Sequence, residues 1–78
     1  MSKILYKVAK VDVESEAYDF LTREFQSLDE ASNLYLNESK NSEYQYWVYK
    51  TEYDANDVVS KCYYIGRFIC GIFQEKGQ

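Results

Sequence analysis

The chain has 78 residues, enough for one small domain whose thin core needs good aromatic packing or self-association. Histidine is absent and there are two cysteines, which argues against the usual general base and against a four-ligand zinc site. The formal net charge is −4, a sign that repels nucleic-acid phosphate.

Acidic residues are concentrated in the middle of the chain. Residues 11–57 carry twelve acidic against three basic residues, a net charge of −9. Such a stretch is either solubilising surface or a negative field that favours a protein partner with a basic surface, and we do not expect direct nucleic-acid binding. The acids chosen as candidate partner-binding residues are Asp12, Glu14, Glu16, Asp19, Glu52, Asp54 and Asp57.

The N-terminal segment predicts neither export nor membrane insertion. The sequence "MSKILYKVAK" contains three lysines and no long apolar run, and no stretch of the chain approaches the ~20 apolar residues of a membrane span. We therefore expect a cytoplasmic protein without membrane contact. Cys62 and Cys70 are then expected to be free, buried thiols, because a reducing compartment disfavours a disulfide between them.

The first half of the chain predicts two strands. Residues 3–13 are rich in β-branched and apolar residues, which favours a strand. Residues 14–26 fit both an apolar helical stripe and a strand. The sequence "SLDE" favours the strand, because Ser27 and Glu30 form a capping-box pattern that starts a new helix. The residues before a new helix start are expected to be extended, so we predict a strand at 17–25.

A helix is predicted for residues 28–39, where acidic residues in the first turn suit the helix dipole. The residues expected on its buried side are Leu28, Ala31, Leu34 and Tyr35.

Residues 43–53 predict a third strand, with rings on both of its faces. Side chains alternate along a strand, so Tyr44 and Tyr46 share one face while Trp47 and Tyr49 share the other. Helices cover only one face of a two-layer sheet, so one set of rings is expected to be exposed. Large exposed apolar patches indicate contact surfaces, and these four aromatic residues are candidate partner-binding residues. The alternatives are half-buried structural rings and a homodimer seam.

The last segment, 57–74, is open to two interpretations. Its apolar residues recur at helical spacing, although the β-branched and aromatic content also suits strands. We predict a C-terminal helix, with C-terminal strands as the alternative. The resulting fold is α+β, an antiparallel sheet of about three strands (3–13, 17–25, 43–53) backed by two helices, in a single domain at 1–78.

No arrangement of residues predicts catalysis or a cofactor. The chain lacks a Gly-rich phosphate loop and a nucleophile with a basic partner, and "DANDVVSK" lacks the glycine and terminal glutamate of a calcium loop. Neighbouring acids such as Glu14 with Glu16 are expected to be solvated. We predict a non-enzymatic protein that needs no metal and no cofactor.

The −9 stretch beside "YQYWVY" resembles a known class of small proteins. A short, acidic, tyrosine-rich single domain is similar to phage-encoded inhibitors of host defence, of the anti-restriction and anti-CRISPR type. These inhibitors share no common motif, so the resemblance transfers no individual residue. It implies a non-enzymatic blocker that occludes a basic, nucleic-acid-handling host protein.

Overall fold

One five-stranded antiparallel sheet and one helix make up the protein in the computed structural model, which describes residues 3–77. The helix α1 (Leu28–Lys40) connects the second strand to the third, and the order across the sheet is β2-β1-β3-β4-β5. The strands are β1 (Lys3–Asp12), β2 (Ala17–Phe25), β3 (Gln45–Tyr53), β4 (Val59–Ile69) and β5 (Ile72–Glu75).

The prediction of a three-stranded α+β fold with a C-terminal helix is wrong. Residues 57–74 contain β4 and most of β5, which form a hairpin. Cys70 and Gly71 make its two-residue turn, with φ values of 51° and 81°. Positive φ at both positions matches the twist of antiparallel strands, and glycine adopts it without strain. The β-branched and aromatic residues of this segment therefore pair as strands, and their helical spacing is coincidental.

The other elements begin and end close to the predicted residues. Ser27 caps α1, because its hydroxyl accepts the backbone N–H of Glu30 at 3.2 Å. The Glu30 carboxylate in turn accepts the N–H of Gln26 at 3.2 Å. This cap separates the helix from β2, as the sequence pattern indicated.

Helix α1 packs against one face of the sheet and forms the core there. The ring of Tyr35 lies 5.7 Å from that of Phe25 and 5.0 Å from that of Tyr46, measured between centroids. Leu34, expected on the buried side, is 37% exposed instead. The fully or almost fully buried residues of this core are Val8, Phe25, Ala31, Tyr35, Tyr46, Val48 and Phe68.

A buried serine joins the end of α1 to the β4–β5 turn. The Ser39 hydroxyl donates to the Leu36 carbonyl and accepts the Gly71 N–H, both at 3.0 Å. The side chain of Ser39 is fully buried, so these two bonds replace the ones it would make to water. The hairpin is thereby fixed against the helix.

Both cysteines differ from the prediction in their burial. Cys62 and Cys70 are free, but they are exposed rather than buried. Cys70 lies in the hairpin turn, and Cys62 lies on β4 opposite Thr51. Within residues 3–77, no helix has the length and apolar character needed to cross a membrane.

Candidate interaction surface

The sheet face opposite α1, here called the open face, carries a continuous row of aromatic side chains. Because side chains alternate along strands, Trp47 and Tyr49 of β3 point away from the helix that covers Tyr46 and Val48. Successive centroids in the row lie between 5.1 and 5.9 Å apart. The members of this aromatic row are, in order, Tyr18, Phe20, Tyr49, Tyr64 and Trp47.

A small residue on β1 lets the row cross the sheet. Ala9 pairs with Phe20 on one side and with Trp47 on the other, and it is fully buried. Its methyl group leaves room above β1, so Phe20 of β2 reaches Tyr49 of β3 with centroids 5.1 Å apart. Rings from two strands that are not neighbours therefore form one surface.

The row is only partly shielded from water. Tyr18 and Phe20 are 55% and 49% exposed, while the other three rings are half-buried. Burial raises the pKa of the Tyr49 and Tyr64 phenols above the ordinary value, and for Tyr49 the neighbouring Tyr18 adds to this effect. The hydroxyls of these two tyrosines, in the centre of the row, are thus partly desolvated.

Basic side chains accompany the aromatic row. Lys7 forms an ion pair with Glu24 at 3.8 Å, and Lys3 forms one with Asp57 at 3.2 Å. Arg67 of β4 instead donates to the side chains of Gln45 and Gln74. The open face is therefore not the acidic surface that the sequence suggested.

The four predicted aromatic residues are divided between the two sides of the sheet. Trp47 and Tyr49 belong to the open face, whereas Tyr46 is only 4% exposed and is part of the core. Tyr44 packs against that core, and the Lys10 ammonium lies 4.2 Å from its ring centroid. A partner on the open face can reach only the first two.

The predicted acids form two groups at opposite ends of the sheet. Asp12, Glu14 and Glu16 lie at the β1–β2 turn, and Asp19 lies just beyond it on β2. The second group, Glu52, Asp54 and Asp57, surrounds the β3–β4 turn, where Asp57 meets Lys3. The ten residues of β1 separate the groups by about 30 Å.

Two of these acids accept hydrogen bonds from the backbone of their own turns. The Asp12 carboxylate accepts the N–H groups of Glu14 and Ser15 at 3.1 and 3.5 Å. The Asp54 carboxylate accepts those of Asn56 and Val58 at 2.8 and 3.1 Å. Such bonds stabilise the turn locally, so substitution there would disturb folding as well as binding.

Sequence reasoning missed three members of the aromatic row, Tyr18, Phe20 and Tyr64. Tyr18 and Phe20 appeared in the predicted strand 17–25, sharing one face. Only the pairing register through Ala9 shows that this face continues into β3. Tyr64 was missed because residues 57–74 were predicted to form a helix, and a helix does not place Tyr64 on a face of the sheet.

Comparison with known proteins gave no match, whether to protein-family models, to curated proteins or to solved structures. Among residues 3–77, histidine, cysteine and acidic side chains do not come together in any group of three that could hold a metal ion. The open face is therefore the feature of the molecule that bears on its function.

Proposed function

We propose that this protein is a non-enzymatic protein-binding module and that the open face is its contact surface. The observation that carries the proposal is the row of five aromatic side chains on a sheet face that no helix covers. Tyrosine and tryptophan are enriched among the residues that dominate binding energy at interfaces. An exposed apolar patch of this kind is also costly unless a partner covers it.

The size of the open face suits a protein partner. Four strands about 30 Å long and a fifth about 13 Å long, spaced about 4.8 Å apart, give the face an area of about 700 Å². A standard protein interface buries about 800 Å² on each side. The face is thus large enough for one stable contact with a protein.

The two acidic groups supply the electrostatic part of the proposal. They lie at the two ends of the strands, on either side of the aromatic row, where they act as a rim that attracts a partner with basic groups at its edges. In this arrangement the protein is a phage-type inhibitor, as the resemblance implied, which works in the cytoplasm and occludes a nucleic-acid-handling host protein. The rings provide the anchor, and the acids increase the association rate.

A tagged capture experiment with matched variants tests the contact surface. The double variant Trp47→Ser, Tyr49→Ser removes two rings from the open face, and the control Tyr63→Ser removes an exposed tyrosine from the other face. We expect the double variant to lose at least about tenfold in affinity for the captured protein, because interface aromatic residues carry about 2 kcal/mol or more each. Undiminished capture by a folded double variant would overturn the proposal.

A homodimer is the second candidate, because two copies that meet face to face would cover the exposed rings of both aromatic rows. The Lys7–Glu24 pair is neutral and adds little repulsion to such a contact, whereas Arg67 of each copy adds a positive charge. Light scattering distinguishes this candidate, because a dimer has twice the monomer mass of 9.3 kDa at micromolar concentration. A mass that stays monomeric as concentration rises would exclude it.

A further inference from the structure

Arg67 is held in a fixed orientation near the C-terminal end of β4, next to the aromatic row. Its Nε donates to Gln74 Oε1 at 3.0 Å, and its Nη1 donates to Gln45 Oε1 at 3.2 Å. The same Gln45 oxygen accepts the indole Nε1–H of Trp47 at 2.9 Å. Two glutamines and a tryptophan thus position one guanidinium on the open face.

The charge of Arg67 is not neutralised by an ion pair within residues 3–77. Its two hydrogen-bond acceptors are neutral amides, and the ion pairs of Lys3 and Lys7 involve other acids. Arg67 is also half-buried, and a guanidinium stays charged at all physiological pH values. Its fork has five N–H donors, so donors remain after both glutamines are satisfied.

Two open grooves meet at Arg67 and Trp47. One has a volume of about 370 Å³, and Val11, Val13 and Tyr18 supply most of its apolar wall. The other, of about 260 Å³, runs between Tyr64 and the C-terminal end of β5. A segment of the partner that crosses the open face would place an apolar side chain in the first groove. The side chain next to it in that segment would then lie at the guanidinium of Arg67.

We propose that Arg67 is the specificity-determining residue of the open face and that it binds a carboxylate side chain of the partner. This inference rests on the proposed function and adds the chemistry of the segment that is recognised: an aspartate or glutamate beside an apolar residue. A carboxylate matches the guanidinium fork with two parallel hydrogen bonds. The apolar residue fills the groove formed by Val11, Val13 and Tyr18.

A single carboxylate suits the site better than a polyphosphate chain does. Glu16 lines the first groove, and Glu75 lines the second beside Lys76. A strand of nucleic acid would bring repeated negative charges past both acids, and the net charge of −4 adds to that repulsion. One carboxylate brings only a single negative charge to Arg67.

Trp47 provides a direct readout because it is the sole tryptophan in the chain. The probe is the peptide acetyl-Leu-Asp-Leu-amide, with acetyl-Leu-Asn-Leu-amide as its uncharged match. Titration into ¹⁵N-labelled protein is followed at the indole N–H of Trp47, which shares the Gln45 oxygen with Arg67. We expect a saturable shift with the aspartate peptide and binding on the order of tenfold weaker with the asparagine peptide.

Two variants separate charge from geometry. Arg67→Gln should abolish the preference for aspartate, and Arg67→Lys should lose most of it, because lysine keeps the charge without the planar fork. Equal responses to the two peptides, or no response to either, would overturn the inference. So would tighter binding of an oligothymidylate than of the aspartate peptide, which would favour a phosphate ligand.

The capture experiment distinguishes this inference from the proposed function. If Arg67→Gln weakens capture about as strongly as the double variant Trp47→Ser, Tyr49→Ser does, the result supports both the carboxylate site and the open face as the contact surface. If Arg67→Gln captures the partner normally while the aromatic double variant does not, the carboxylate site is wrong and the open face remains the contact surface. If none of these variants affects capture, both are wrong.

Discussion

At Gly66 the backbone of β4 lies close to the side chain of Phe73 and the backbone of Gln74 on β5. A Cβ atom built at this position would lie 2.5 Å from Cζ of Phe73 and 2.7 Å from the carbonyl oxygen of Gln74. The ring has some freedom to move, but the carbonyl belongs to the paired strand and has little. Glycine is therefore required here by contact with the neighbouring strand, and its φ is not in the left-handed region.

Gly66→Ala is expected to destabilise the fold by about 1–3 kcal/mol, because the added methyl group overpacks the β4–β5 contact. Urea unfolding measures this loss, and Lys61→Ala on the exposed part of β4 is the control. An alanine variant with wild-type stability would mean that β5 is not packed against Gly66 as described.

The partly buried tyrosines predict a dependence of stability on alkaline pH. Burial raises the pKa values of Tyr35, Tyr49 and Tyr64 above their ordinary value of 10.0, so the folded state resists ionisation of the phenols. Below about pH 10 each phenol is protonated in both the folded and the unfolded state, so these groups do not make the free energy of unfolding depend on pH. As the pH rises past 10 the unfolded chain releases protons first, and the free energy of unfolding decreases.

The variant Tyr49→Phe, Tyr64→Phe should show a smaller decrease in stability between pH 9 and pH 11 than the wild type. The measurement is the urea midpoint at each pH, and Tyr63→Phe is the exposed control. Tyr35 remains in the double variant, so part of the decrease should persist. Identical pH profiles for the wild type and the double variant would contradict the burial of these two phenols.

Among the elements, the β4–β5 hairpin depends on α1 for its position. Ser39 is the polar contact between them, and replacing it with alanine would leave the Gly71 N–H without its acceptor. We expect Ser39→Ala to cost about 1–3 kcal/mol, the penalty for an unsatisfied buried donor.

Amide hydrogen exchange at Gly71 tests this contact more directly than global stability does. The N–H of Gly71 should exchange faster in Ser39→Ala, while Ser32→Ala, a change of the same kind in the same helix, should leave it protected. Unchanged protection in Ser39→Ala would show that the helix and the turn are held together by other contacts.

The elements that the sequence predicted have a strong local signal. The cap formed by Ser27 and Glu30 marks where β2 ends and where α1 starts, so both elements were predictable from a few residues. The segment 57–74 lacks such a signal, because its apolar spacing fits a helix and its residue types fit strands. Pairing with β3 decides between them, and this pairing is a long-range contact that local spacing does not contain.

The aromatic row was predictable only in part, for a related reason. Alternation in 43–53 separates Trp47 and Tyr49 from Tyr46, but it does not say which side α1 covers. That choice depends on how Tyr35 packs against Phe25 and Tyr46 in the assembled core. The contributions of β2 and β4 depend on strand order, which the sequence pattern left open.

At the scale of the whole molecule, charge and aromatic surface are separated. The net charge of −9 on residues 11–57 resides largely in turns and around α1, while the open face carries Lys3, Lys7 and Arg67 beside one acid, Glu24. The net charge counted from the sequence therefore reflects the acidic groups at the rim of the proposed contact rather than the residues at its centre. A partner is expected to match both parts, with basic groups at its edges and a carboxylate at the middle.

Site-specific photo-crosslinking tests the central claim, that the open face is the surface that binds. Benzoylphenylalanine replaces Phe20, which is 49% exposed on the open face, or Leu34, which is 37% exposed on α1. Irradiation in bacterial cells that produce the variant should give one discrete adduct from position 20 and none from position 34. An adduct with a second copy would identify the homodimer, and one with a different protein would name the partner. An adduct from position 34 alone, or from neither position, would contradict the account.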